Sequence, residues 1–95
     1  MSLVKISAGK VNGKPIIKAW ESFSGWYWLG TEKVREQLTN LGNGKAIRDT
    51  IWFGFVIGPC PEWGYFSEAE IKSLAPWAWE IQPRDIPYIS KEVRA

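Results

Sequence analysis

The chain has 95 residues, 45% hydrophobic, 15% aromatic and 23% charged, which excludes a disordered polymer and leaves room for one domain with one modest core. Its net charge of +2 does not by itself imply a polyanionic partner. It has no histidine, which removes the commonest general base, the usual catalytic zinc ligand and every Ser-His or Cys-His pair.

In chain order, the first expected element is a hairpin over residues 1–20. Asn12-Gly13 is a favoured type I′ dipeptide, since both central positions need positive φ. A two-residue loop there sets Val11 against Lys14, Lys10 against Pro15, Ala8 against Ile17, Ile6 against Ala19 and Val4 against Glu21. One face then collects Val4, Ile6, Ala8, Ile17 and Ala19, and the other Lys5, Ser7, Lys18 and Trp20. Pro15 has no N–H to donate, so its strand belongs at an outer edge. Residues 22–25 read as a turn and 26–29 as an aromatic strand. Between 31 and 49, Val34, Leu38 and Leu41 recur at helical spacing, with Thr31 as cap and Gly42 as terminator. A helix is expected there, and a long twisted hairpin turning at Asn43-Gly44 is the competing reading.

Residues 50–57 are continuously apolar and predict a central strand, in which Gly54 marks a bulge or a close backbone approach. A turn at Pro59-Cys60-Pro61 leads to a short strand over 63–66. Ser67-Glu68-Ala69-Glu70 is a capping box that starts a helix, with Phe66 and Ile71 as hydrophobic staple, Ile71 and Leu74 facing inward, and Pro76 ending it. Trp77, Trp79 and Ile81 alternate with Ala78, Glu80 and Gln82 as a last strand. Residues 83–95, interrupted by Pro83 and Pro87, read as an irregular tail. The expected fold is a single α+β domain: a small, curled, mostly antiparallel sheet of four to five strands with one or two short helices.

Little in this pattern carries chemistry. Cys60 is the lone cysteine, so no intrachain disulfide forms. Together with the absence of a signal-peptide run or a membrane-length apolar stretch, this points to a cytoplasmic protein that does not enter membranes. Cys60 lies between two prolines beside Glu62, which opposes thiolate formation, and reads as an inert, partly buried thiol. Gly42-Asn43-Gly44-Lys45 lacks the spacing of a phosphate loop. Glu62, Glu68, Glu70, Glu80 and Asp85 offer the carboxylate pairs that glycosidase-type chemistry uses, yet capping and solvated roles explain them more simply. No cofactor is implied.

Two features point outward. Residues 1–18 carry Lys5, Lys10, Lys14 and Lys18 with no acid, +4 in all, while the remainder sums to −2. Such a basic hairpin suits nucleic acid, but also a lysine-guarded edge strand. The seven tryptophans are the compositional anomaly. Trp26, Trp28, Trp52, Trp77 and Trp79 lie in strand-like segments and are expected in the core. Trp20 falls on the lysine face with Lys5 and Lys18, and Trp63 sits beside Glu62 near a loop. Lys5, Lys18, Trp20, Glu62 and Trp63 are therefore the candidate binding residues, suited to base stacking or to anchoring a protein interface.

A longer pattern runs through Lys18-Ala19-Trp20, then Trp26-Tyr27-Trp28 leading to Thr31-Glu32, then Phe53-Gly54. It continues in Glu62-Trp63-Gly64-Tyr65-Phe66-Ser67 with Glu70-Ile71 following, and ends in residues 81–85. In this order the chain resembles the small-protein family known as domain of unknown function 2958, met in bacteria and in mobile elements such as plasmids and phages. The likeness spans roughly residues 14–88, and its most specific piece is the acidic-x-Gly-Tyr-x-Ser segment. The sequence departs from the pattern in a longer 33–48 connection and in Pro83 and Pro87. The resemblance carries no activity; it implies mobile elements and their hosts as the setting, with Gly64 and Tyr65 as structural residues. The first functional reading is a non-catalytic module binding a host or element macromolecule, protein and nucleic acid being equally open. An oligomeric assembly protein comes second and a carboxylate-based enzyme third.

Overall fold

Two tight reversals, each with two residues at positive φ, shape the N-terminus in a computed structural model that describes residues 2–42 and 44–93. Asn12 (φ 50°) and Gly13 (φ 80°) make the expected turn, with Val11 opposite Lys14 and Lys10 opposite Pro15. Ala8 (φ 53°) and Gly9 (φ 76°) make another just before it. The strand expected to run through to residue 11 is thereby cut into β1 (Ser2–Ser7) and β2 (Lys10–Val11), followed by β3 (Lys14–Pro15). Ile6 pairs with Val11, not Ala19, and Val4 with Lys91, not Glu21. Ala8 and Ile17 leave the inner face, and Ile16 takes the buried place. Asn12 stabilises the double turn: its amide donates to the Lys5 carbonyl and its Oδ1 accepts from the Lys5 amide, both at 2.8 Å. This offsets the roughly 1–2 kcal/mol that a left-handed Ala8 costs.

The chain continues as β4 (Lys18–Ser22), β5 (Tyr27–Asn40), β6 (Ala46–Ile57), β7 (Glu62–Ser67), α1 (Glu68–Lys72), β8 (Ala78–Ile81), a 3₁₀ turn (Pro83–Asp85) and β9 (Ile89–Val93). All pairings are antiparallel. They form two sheets, β3-β2-β1-β9 and β7-β6-β5-β4-β8, in place of the one curled sheet expected. The tail is not irregular throughout. β9 pairs with β1 from Ser2–Val93 to Ile6–Ile89, and Pro83 and Pro87 stand ahead of the strand, not inside it; Arg94 and Ala95 lie outside the described residues.

Residues 31–40 are strand, not helix. β5 and β6 pair from Tyr27–Ile57 out to Asn40–Ala46 in the long hairpin that was the competing reading. Its expected turn includes Asn43, which lies outside the described residues. The register slips at Thr31 and again at Val34, each an extra residue in β5. The two bulges, three residues apart, interrupt the period of two in the first half of β5. Leu38 is exposed and Val34 and Leu41 only half-buried, so their spacing packs no helix face. Gly54 in β6 makes the close approach its position predicts: a Cβ there would lie 1.8 Å from the Leu29 carbonyl oxygen.

Side chains from both sheets share one core, with Val4, Ile6, Val11 and Val93 meeting Ala19, Leu29, Phe55 and Ile57. On the other face of the five-stranded sheet, Trp20, Trp52 and Ala78 pack under Ile71 of α1, with Trp28 and Phe66 at the margin. The sheet is therefore covered twice, and successive residues Ala19 and Trp20 are both buried. Helix α1 begins where the capping box predicts, with the Glu70 amide donating to Ser67 Oγ at 3.1 Å. It ends before Leu74, which is exposed instead of inward. Trp77 and Trp79 are exposed as well, because the inward positions of this segment go to Ala78 on the helix side and Ile81 on the other.

Gly54→Ala is expected to destabilise the fold by more than about 3 kcal/mol, since the obstacle is backbone and cannot rotate away. Gly64→Ala, which meets nothing within 4 Å, is expected to stay within about 0.5 kcal/mol of the parent. Urea unfolding midpoints of the two variants check the contrast.

A candidate aromatic binding groove

The expected binding residues do not converge. Lys18 and Trp20 are neighbours, with the Lys18 Nζ 5.4 Å from the Trp20 ring centroid, but they do not form an exposed stacking surface. Trp20 is 1% exposed, because α1 covers that face of β4. Its ring meets Trp52 and Phe66 edge to face at 6.1 and 5.9 Å. Lys5 lies on the four-stranded sheet, opposite Ser90. Glu62 is exposed on β7, and Trp63 is half-buried, stacked on Phe53 and packed against Phe55. Cys60 is exposed, not partly buried.

The buried acids are anchors. Glu68, the first residue of α1, receives the Lys18 Nζ at 3.2 Å, the Lys72 Nζ at 2.9 Å and the Trp52 indole N–H at 2.9 Å. Burial alone would raise its pKa, but hydrogen bonds from Lys72, Trp52 and Lys18 leave it lowered. Asp49, which drew no attention in the sequence, ties the start of α1 to the long hairpin. Its Oδ1 accepts from the Ala69 amide at 2.8 Å, and its Oδ2 accepts from the Ser67 hydroxyl and from the Thr39 hydroxyl at 2.8 Å. Burial is again outweighed by these donors and by the Thr50 amide, and the pKa is lowered. A broader hollow of about 600 Å³ runs beside Asp49 between the hairpin and α1, lined by both charge signs (Glu36, Arg48, Glu68 and Lys72). Among the described residues no group of three or more Cys, Asp or Glu side chains is placed to hold a metal, and no helix is long and apolar enough to cross a membrane.

The concentrated apolar surface lies elsewhere, at the end of the five-stranded sheet beside α1. Ser22, Phe23 and Ser24 from the turn, Trp26 and Trp28 entering β5, and Leu74 and Trp77 following α1 line a groove of about 330 Å³. Phe23 packs on Trp77 at 5.3 Å and Trp26 stacks on Trp28 at 5.7 Å. Phe23 is 70% exposed, Trp77 61% and Leu74 45%, so several large side chains face solvent together. Backbone bonds hold the groove's shape. The Phe23 amide donates to the Trp77 carbonyl at 3.0 Å, the Ser22 amide to Trp26 at 2.9 Å, and the Trp77 amide to Leu74 at 2.8 Å. None of the lining side chains is ionisable. Two signals in the sequence mark the place: a phenylalanine between two serines in a predicted turn, and Trp26 and Trp28 two residues apart on one strand face. Neither shows that residues 74–77 come to meet them. Compared with protein-family models, curated proteins and solved structures, the chain finds no match in any of the three.

The lowered pKa values of Asp49 and Glu68 set an acid limit. Each folded-state value lies below its unfolded one, so the stabilisation is complete above the unfolded values, near pH 4, and is lost as pH falls through the folded values. Thermal midpoints are expected to hold from pH 7 to about 5 and to drop below about 4. Asp49→Asn is expected to cost about 1–3 kcal/mol at pH 7, since its NH₂ meets donors, and to blunt the acid drop. Thermal denaturation of both proteins from pH 7 to 3 checks this.

Proposed function

We propose that this chain is a small, non-catalytic binding module whose working surface is the aromatic groove and whose partner is a protein. One observation carries the reading: three tryptophans, a phenylalanine and a leucine form a preshaped, half-open surface without ionisable groups. Large aromatic rings around a water-excluding hollow supply most of the binding energy at protein interfaces, and exposed apolar clusters of this kind mark interaction sites.

Nucleic acid fits less well. Binding to a phosphate backbone requires cations beside the stacking rings, and the groove has none among its lining residues. Lys5, Lys10 and Lys14 sit on the other sheet, and Lys18 is engaged with Glu68. A general-acid role for Asp49 or Glu68 is also disfavoured, since both are surrounded by donors that keep them ionised, the reverse of a proton-donating acid. The resemblance to domain of unknown function 2958 adds a setting to the proposal: a cytoplasmic protein of a mobile element or its host, acting on a macromolecule of either.

The test uses a partner captured from lysate, identified and purified. Trp77→Ala and Phe23→Ala are each expected to weaken its binding more than about tenfold, with thermal midpoints little changed because both side chains are exposed. Raising NaCl from about 0.1 to 0.5 M is expected to leave the affinity within about threefold. Binding that survives both substitutions, or that collapses with salt, overturns the reading.

A further inference from the structure

Resting on the groove as the working surface, we infer that residues 68–77 form a latch. The segment opens and closes as one unit on sheets that stay folded, and the groove exists only while it is closed. The neighbours of the segment set its limits. Ser67, just before it, pairs with Ile51, and Ala78, just after it, pairs with Ser22. Both ends are thus held by the five-stranded sheet, and what lies between them leaves that sheet without breaking a strand pair.

Little apolar surface holds the segment down. Residues 72–77 are all exposed, and Ile71 is the one large apolar side chain that the segment buries. Ile71 lines two hollows, one of about 320 Å³ shared with Trp20, Ala78 and Trp79, the other of about 310 Å³ shared with Trp28 and Phe66. A side chain that faces gaps forfeits dispersion contacts that a close-packed core supplies. Beneath α1, the Trp20 indole N–H is buried without a hydrogen-bond partner among the described residues, a desolvation cost that opening relieves.

Polar ties do the holding instead. Asp49 accepts from the Ala69 amide, Glu68 receives Lys18 and Trp52, and the Phe23 amide donates to the Trp77 carbonyl. Within the segment the amides of Ser73, Leu74, Ala75 and Trp77 donate to the carbonyls of Ala69, Ile71, Lys72 and Leu74. These bonds overlap along the chain and start from a five-residue helix that does not persist once undocked. They are therefore made and lost together. A segment with few buried apolar contacts opens at less cost than the whole molecule unfolds. Opening removes Leu74 and Trp77 from the groove and parts Trp77 from Phe23, so only the wall built by the turn and β5 is left.

Native-state hydrogen exchange of the ¹⁵N-labelled full chain at pH 6 in rising urea tests this. The Ser73, Leu74, Ala75 and Trp77 amides are expected to agree in protection within about fivefold and to depend little on urea. They are expected to exchange at least about a hundredfold faster than the amides of Leu29 and Phe55, on the interior strands β5 and β6. The Phe23 amide, remote in sequence, is expected to exchange with them, because the Trp77 carbonyl is its acceptor. Val4→Ala weakens the core between the sheets whether the latch is open or closed. It is expected to speed Leu29 and Phe55 at least about tenfold and to leave the five latch-linked amides within about twofold. Should that variant not fold, the urea slopes of the parent protein decide. Segment amides with the protection and urea slope of the core, or a spread among the five beyond about fivefold, overturn the inference. So does a speed-up in Val4→Ala that matches that of the core. Partner binding is a separate measurement. If it depends on Trp77 while the segment shows no joint opening, the protein-binding reading stands and the latch falls. If it is indifferent to Trp77 while the segment opens as one, the latch stands and that reading falls.

Discussion

The Asp49 carboxylate lies where the long hairpin meets the helix, and it accepts from Thr39 on β5 and from Ser67 and Ala69 at the start of α1. A five-residue helix has too few internal hydrogen bonds to persist alone, so this tether determines whether α1 forms and where it lies. Once there, α1 presents Glu68 to Lys18 and Trp52 and lays Ile71 over Trp20. The segment that leaves it is carried back to the 22–25 turn, where the Phe23 amide meets the Trp77 carbonyl. The second core and the aromatic groove both follow from one well-satisfied buried anion.

The tryptophans divide according to this arrangement. Trp20 and Trp52 lie between sheet and helix, and Trp63 lies half-covered at the outer strand. Trp26, Trp28 and Trp77 gather at the sheet end, where α1 has already stopped. A longer helix would cover them. Because it ends at Lys72, the apolar face of the sheet emerges into solvent, while backbone bonds hold the rings in position. A preorganised surface of this kind loses little entropy on binding, and its lack of charge separates it from the lysines of the other sheet.

Much of the local structure was readable in advance: the Asn12-Gly13 turn, the strand over 50–57, the tight backbone at Gly54, and the Ser67 cap. The site was not. Lys18 and Trp20 are adjacent as expected, yet they turn inward, and Glu62 and Trp63 lie on a different strand from the groove. Alternation along one strand assigns a residue to a face without telling whether that face is covered. Trp20 looked outward-facing because the expected hairpin register set it on one face with Lys5 and Lys18, and the cover came from a helix some fifty residues further on.

The difference is one of range. Turns, caps and close glycine contacts depend on dihedral preferences and on partners a few positions apart, which composition and order specify directly. The two bulges in β5, the pairing of β1 with β9, the burial of Trp20 and the meeting of Phe23 with Trp77 depend on contacts between segments remote along the chain. Those contacts form only when a competing pattern is overridden by burial on both sides of a sheet, and burial belongs to the assembled molecule, not to any one segment of it.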